Sequence, residues 1–132
     1  MIRFTKSNHN LQTAEEARAV VRQLFSCGQR PTAIFCHNDV MAFGAFRGLR
    51  DMGVRVPQDV SLVGFDNAWA AEYLDPPLTT VTFPYHEIID RSLAFLLNRI
   101  AGKAQEPQRL VLPGALVVRG STTPPNPIPI SA

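Results

Sequence analysis

Two short apolar runs in this chain end the same way, and that repetition constrains the fold more than any other feature. Thr32-Ala33-Ile34-Phe35-Cys36 follows Pro31 and is closed by His37-Asn38-Asp39. Val60-Ser61-Leu62-Val63-Gly64-Phe65 follows Pro57 and is closed by Asp66-Asn67. Short, nearly continuous apolar runs are the pattern of strands buried on both faces, as in a parallel sheet. Between them, Ala42, Ala45, Leu49 and Met52 recur at helical spacing and Gly53 supplies the stop, with Asp39 expected as the N-cap. Strand, helix, strand in this order implies a right-handed βαβ crossover, and ligands of open parallel sheets bind beyond the carboxyl ends of the strands. Asn38, Asp39, Asp66 and Asn67 are therefore expected along one edge.

The flanking segments continue the alternation. Thr13-Ala14-Glu15-Glu16 is a capping box, so a helix begins near Ala14; Ala14, Ala17, Val21 and Leu24 mark its apolar face and Gly28 its end. After Pro76-Pro77, Leu78 to Phe83 is rich in β-formers, and Glu87 to Ile100 reads as a helix stopped by Gly102. That helix has too many apolar residues for one narrow face and expects wide cover. Leu110-Val111-Leu112 and Leu116-Val117-Val118 read as two short strands. The fold class is α/β, an open parallel sheet with flanking helices over residues 1–123, followed by a Pro-rich flexible tail at 124–132.

Composition removes several function classes. With 45% hydrophobic and 18% charged residues, 132 residues suffice for one α/β unit with a core. The net charge is +2 and the basic residues are scattered, so the segment lacks the cluster that tracks phosphates and is not itself a DNA-binding surface. Cys27 and Cys36 have no metal-ligand spacing; no metal is expected, and a reduced, cytoplasmic setting fits. No apolar run approaches the roughly 20 residues needed to span a bilayer. There is no Gly-rich phosphate loop and no nucleophile elbow, so neither a cofactor nor catalysis is expected. The remote enzymatic alternative would use Asp39 and Asp66, with Glu72, in acid/base work.

An ordered set of motifs adds to this reading. Pro31-Thr32-Ala33-Ile34-Phe35, Asn38-Asp39 and Met41-Ala42 come first, then Val56-Pro57 and Asp59 through Asn67. Pro77-Leu78-Thr79-Thr80-Val81 and Leu116-Val117-Val118-Arg119-Gly120-Ser121 follow. Order and spacing resemble the effector-sensing domain of the LacI/GalR family of transcription regulators, from about Thr13 to Thr122. The resemblance implies a type I periplasmic-binding-protein-like fold that binds a small polar effector of carbohydrate type. DNA binding would belong to a helix-turn-helix that this chain lacks. By the same comparison the chain covers an incomplete subdomain, short of a central strand and a packing partner, from which a homo-oligomer or unusual topology is expected. The rival of the same fold is a periplasmic sugar-binding transport protein.

The resemblance carries Asn38 and Asp66 onto effector-contacting positions and places Phe83 and Tyr85 near the pocket rim. Family members commonly have Gln at the position of Phe83 and usually Gly at that of Ile89. A carboxylate and a carboxamide can bridge neighbouring hydroxyls while an aromatic face covers C–H surface, and Trp69 is a further aromatic candidate. Phe43 resembles a subunit-interface position of the family. Plainer roles stand beside these: Asp39 as a helix cap, Asn67 as a turn cap, His37 as a strand-end residue and Phe43 as ordinary core.

Overall fold

The computed structural model describes residues 13–103, 106 and 109–124; nearly all of the Pro-rich segment, from 125 on, lies outside them. Helix α1, Ala14–Ser26, starts as its capping box requires. The Thr13 hydroxyl accepts from the Glu16 N–H at 3.2 Å, and the Glu16 carboxylate accepts from the Thr13 N–H at 3.1 Å. Two of the donors that a helix start leaves unpaired are thereby satisfied. Strand β1 is Ala33–Phe35, helix α2 Asp39–Asp51 and strand β2 Ser61–Phe65. A 3-10 turn at Trp69–Tyr73 then leads to β3, Thr79–Thr82, and α3, Tyr85–Ile100, with β4, Ala115–Val117, last. Gly28, Gly53 and Gly102 end the three helices at positive φ of 77°, 72° and 70°.

The sheet order is β1-β2-β3-β4. β1 and β3 flank β2 in parallel, with Ile34 opposite Leu62 and Gly64 opposite Thr80. β4 pairs antiparallel with β3, so the open sheet is mixed. The reason lies in the connection: a parallel return needs a crossover packed on the sheet. Helix α3 has no buried residue and makes no such crossover, and the chain re-enters with Ala115 opposite Thr82. Leu110 to Leu112, expected as a strand, is irregular.

The core lies between the sheet and α2. Ala42, Ala45 and Leu49 from α2 meet Val60, Leu62 and Leu78, all at most 2% exposed. Each fully buried Leu or Val contributes roughly 1.5–3 kcal/mol. Helix α1 lies close against α2 because α2 presents glycine there. A Cβ on Gly44 would sit 1.9 Å from the Ala14 carbonyl oxygen. Arg18 Nε donates to Asp51 at 2.8 Å and Arg47 joins the same carboxylate at 2.9 Å. The hydrogen bond from Arg18 leads in holding the Asp51 carboxyl below its usual range.

The opposite face of the sheet is covered less than expected. β1 is an edge strand, and its Phe35 is 56% exposed. Register puts Phe35 beside Val63, and Phe65 beside Val81 and then Leu116, in one apolar row on that face. On α3, Ile89, Leu93, Leu96, Leu97 and Ile100 are each more than half exposed.

Candidate functional site

Because β1 and β2 run parallel and adjacent, the residues that follow them share the carboxyl edge of the sheet. Asn38 is extended, with φ −150° and ψ 171°, and its side-chain oxygen accepts from the Met41 N–H at 2.8 Å. The N-cap of α2 is therefore Asn38, one residue earlier than the Asp39 expected from sequence. The cap uses only the carboxamide oxygen, so its NH₂ group is a donor left at the edge.

Asp39 does something else. Placed in the first turn of α2, its side chain turns inward and is fully buried. One carboxylate oxygen accepts from the Thr80 hydroxyl at 2.7 Å, the other from the Ala68 N–H at 2.7 Å. Space for it exists because residue 64 is glycine: a Cβ there would lie 2.1 Å from the Asp39 oxygen. Burial, with a further contribution from the Asp39 charge, pushes the neighbouring Cys36 thiol up to about 12. With both oxygens engaged and none exposed, Asp39 offers a substrate no acid or base.

The turn after β2 carries the other half of the site. Asp66 and Asn67 have φ of 110° and 54°, in the left-handed region where a side chain costs about 1–3 kcal/mol unless neighbours hold it. Several do. Asp66 N–H donates to the Val81 carbonyl at 2.9 Å and Asn67 N–H to the Thr80 hydroxyl at 3.3 Å. Arg119 donates to the Asn67 side-chain oxygen at 2.8 Å and to the Leu78 carbonyl at 2.9 Å. The Asp66 carboxylate is left half-buried at the edge, within 3.4 Å of the Tyr85 hydroxyl, which donates to it. Partial burial first, then the Asp66 charge, raises the Tyr85 phenol above its ordinary range.

Three rings line this carboxylate's flank. Phe65 and Phe83 are 5.4 Å apart between centroids, Phe83 and Tyr85 4.0 Å. Trp69 stands apart from that cluster, edge-on to Tyr73 at 5.9 Å and 81% exposed. The fold thus brings Asp66, Phe83 and Tyr85 into contact, sets Asn38 on the same edge, and leaves Trp69 as an outlying ring. Phe43 is half-buried against the core, and His37 is exposed. Sequence reading missed Thr80 and Arg119, and placed Asn67 at the edge and as a turn cap without the partner that holds its side chain. The available signal was Gly64, since an isolated glycine inside a strand marks a close approach.

The assembly is an open wall with one fixed carboxylate, one free carboxamide donor and an aromatic face. Such a wall suits a small polyol with an apolar side. Among the described residues no group of three or more His, Cys, Asp or Glu is placed to hold a metal ion, and no helix is long and apolar enough to cross a membrane.

Comparison with known proteins bears on this geometry. Residues 2–122 match the family model described as periplasmic binding protein-like domain. The HTH-type transcriptional repressor CytR of Escherichia coli K12 is 39% identical over 110 residues, covering 83% of this chain and 32% of the relative. The chain thus spans about a third of the length of the curated relatives it matches. Among solved structures, a LacI-type transcription regulator from Bifidobacterium animalis subsp. lactis superposes with a TM-score of 0.81 at 36% identity, covering 86% of this chain and 41% of that one. A LacI family regulator from Enterococcus faecalis V583 with bound ribose gives 0.79 at 34% identity, covering 88% and 43%.

Proposed function

We propose a function from the premise that this chain belongs to the periplasmic binding protein-like domain family, with the effector-binding domains of LacI/GalR-type regulators. Its role is to sense a small polar effector, of carbohydrate type, on behalf of a DNA-binding transcription regulator. Asp66 accepts from adjacent hydroxyls, the Asn38 carboxamide donates to the same ligand, and Phe83 with Tyr85 covers its apolar face. Trp69 reaches the ligand from the side. The observation that carries this reading is the half-buried Asp66 carboxylate, fixed beside the Phe83–Tyr85 pair at the carboxyl edge of a parallel strand pair.

In the whole protein, a helix-turn-helix outside this chain contacts DNA. Effector shifts the relative populations of two states that differ in how well those heads fit the operator. The protein works in the cytoplasm without catalysis, as a homo-oligomer in which Phe43 lies at the subunit contact. Relatives named as transcriptional repressors favour this over a transport protein of the same fold.

Amide NMR of the 132-residue chain titrated with ribose, other sugars and nucleosides tests the reading. Weak, saturable binding is expected, because the wall covers one side of a ligand only. Shifts should concentrate at Asn38, Asp66, Ala68, Trp69 and Tyr85. Saturable shifts at the Gly53–Gln58 end of the sheet instead, or none across the panel, would refute it.

A further inference from the structure

The Asp66 turn is in a conformation that its own residues disfavour, so something must impose it. Both ends of that imposition lie behind the wall. On one side the buried Asp39 carboxylate takes the Ala68 N–H and the Thr80 hydroxyl, each at 2.7 Å. The same Thr80 oxygen accepts from the Asn67 N–H, which links Asn67, Thr80 and Asp39 in series. On the other side Arg119 holds the Asn67 side chain and is itself tied to Leu78. With the Asp66 N–H held by the Val81 carbonyl, three consecutive residues of the turn, Asp66 to Ala68, are gripped from α2, from β3 and from the segment after β4.

We propose that Asp39 is a positioning residue of the effector site. It sets the aim of the Asp66 carboxylate through the Ala68 N–H and the Thr80 hydroxyl, with Arg119 as the opposing grip. The logic is electrostatic as well as geometric. Hydrogen bonds to a buried carboxylate are roughly twice as strong as neutral ones; a carboxamide of the same shape has one oxygen for the Ala68 N–H and faces the Thr80 hydroxyl with an NH₂, so the charge-assisted bonds are lost. Asp39→Asn therefore keeps the volume and weakens the grip. Asp39 touches no ligand; it acts through the turn. The proposal rests on reading Asp66 as the effector contact.

The test uses the whole chain without any effector, so it fails separately from the functional reading. Amide hydrogen exchange is followed by NMR in Asp39→Asn, Thr80→Val and Thr80→Ser. In Asp39→Asn and Thr80→Val, Asn67 and Ala68 should exchange at least about tenfold faster, the loss of a hydrogen bond to a charged or bound acceptor. Leu62 and Ala45 should keep their protection, which separates a loosened turn from general destabilisation. The single tryptophan, Trp69, follows Ala68 directly, and its fluorescence anisotropy should fall in the same two variants. Thr80→Ser retains the hydroxyl and should restore wild-type behaviour in both readouts. If Asp39→Asn does not fold, the Thr80 pair decides. Unchanged exchange at Asn67 and Ala68 in Thr80→Val, or loss of protection equally in the core, would overturn the proposal.

Discussion

Replacing Gly64 by alanine should be among the most damaging one-methyl changes in this chain. The added Cβ would lie 2.1 Å from an Asp39 carboxylate oxygen and 3.0 Å from a Leu78 methyl. Leu78 can shift by a few tenths of an ångström, but Asp39 cannot move without lengthening its bonds to Thr80 and Ala68. Overpacking a filled core costs about 1–3 kcal/mol, and weakening one hydrogen bond to a charged group adds about 1.5–3, giving about 2.5–6 kcal/mol in all. That is a large share of the 5–15 kcal/mol by which domains are commonly stable. Urea unfolding followed by far-UV circular dichroism measures it. A double-mutant cycle sharpens the result, since Asp39→Ser removes the obstructing oxygen and the alanine should then cost far less. A Gly64→Ala variant within about 0.5 kcal/mol of wild type, or one whose cost adds independently of Asp39, would show that the carboxylate does not occupy the space beside Gly64.

Asp66→Gly should raise stability by about 1 kcal/mol by relieving strain at φ 110° while abolishing sugar-induced NMR shifts, and a fall in stability would contradict the strain reading. In the folded protein a thiol reagent at pH 8 should label the exposed Cys27 and spare the buried Cys36 until denaturant is added; rapid double labelling would refute that. The buried Cys36 favours folding only while protonated, so its contribution is full below the ordinary thiol value of 9.0 and lost as pH rises toward about 12; a Cys36→Ala variant should lack that alkaline loss. Hydrogen bonds from Arg55 hold the Asp59 carboxyl at about 2, so its ion pair should persist well below 3.8 and give way as pH falls toward 2. A carboxyl ¹³C titration with an ordinary midpoint would count against it.

The alternation of apolar runs and helical stripes was enough to place α1, α2, β2 and β3 and to bring Asn38 and Asp66 to one edge. It was enough because helical stripes and short apolar runs mark elements that pack against a core, although the run read as a strand buried on both faces is in β2 buried only at alternate residues. Element roles set by distant partners left no such trace. The preference of an Asx residue for an N-cap is the same at 38 and 39; only the inward path of Asp39, permitted by Gly64 across the sheet, separates them. Arg119 lies 52 residues from the Asn67 it holds, and no local pattern announces that pairing. The direction of β4 was equally hidden, because it depends on where α3 fails to pack. Conversely, the surplus of apolar residues on α3 was visible at once, but the wide cover it was expected to have is not found among the described residues, where the helix has no buried residue.

The turn that presents Asp66 is anchored through main-chain N–H groups and through an asparagine that faces inward. Of the side chains facing outward, Phe83 and Trp69 take no part in that anchoring, whereas the Tyr85 hydroxyl donates to the Asp66 carbonyl and carboxylate, each at 3.4 Å. Tyr85 apart, recognition and scaffold are thus wired separately, like a socket whose face can be exchanged without opening the wall. Swapping Phe83 or Trp69 should retune which molecule is preferred while the fold, and the aim of its acid, stay as they are.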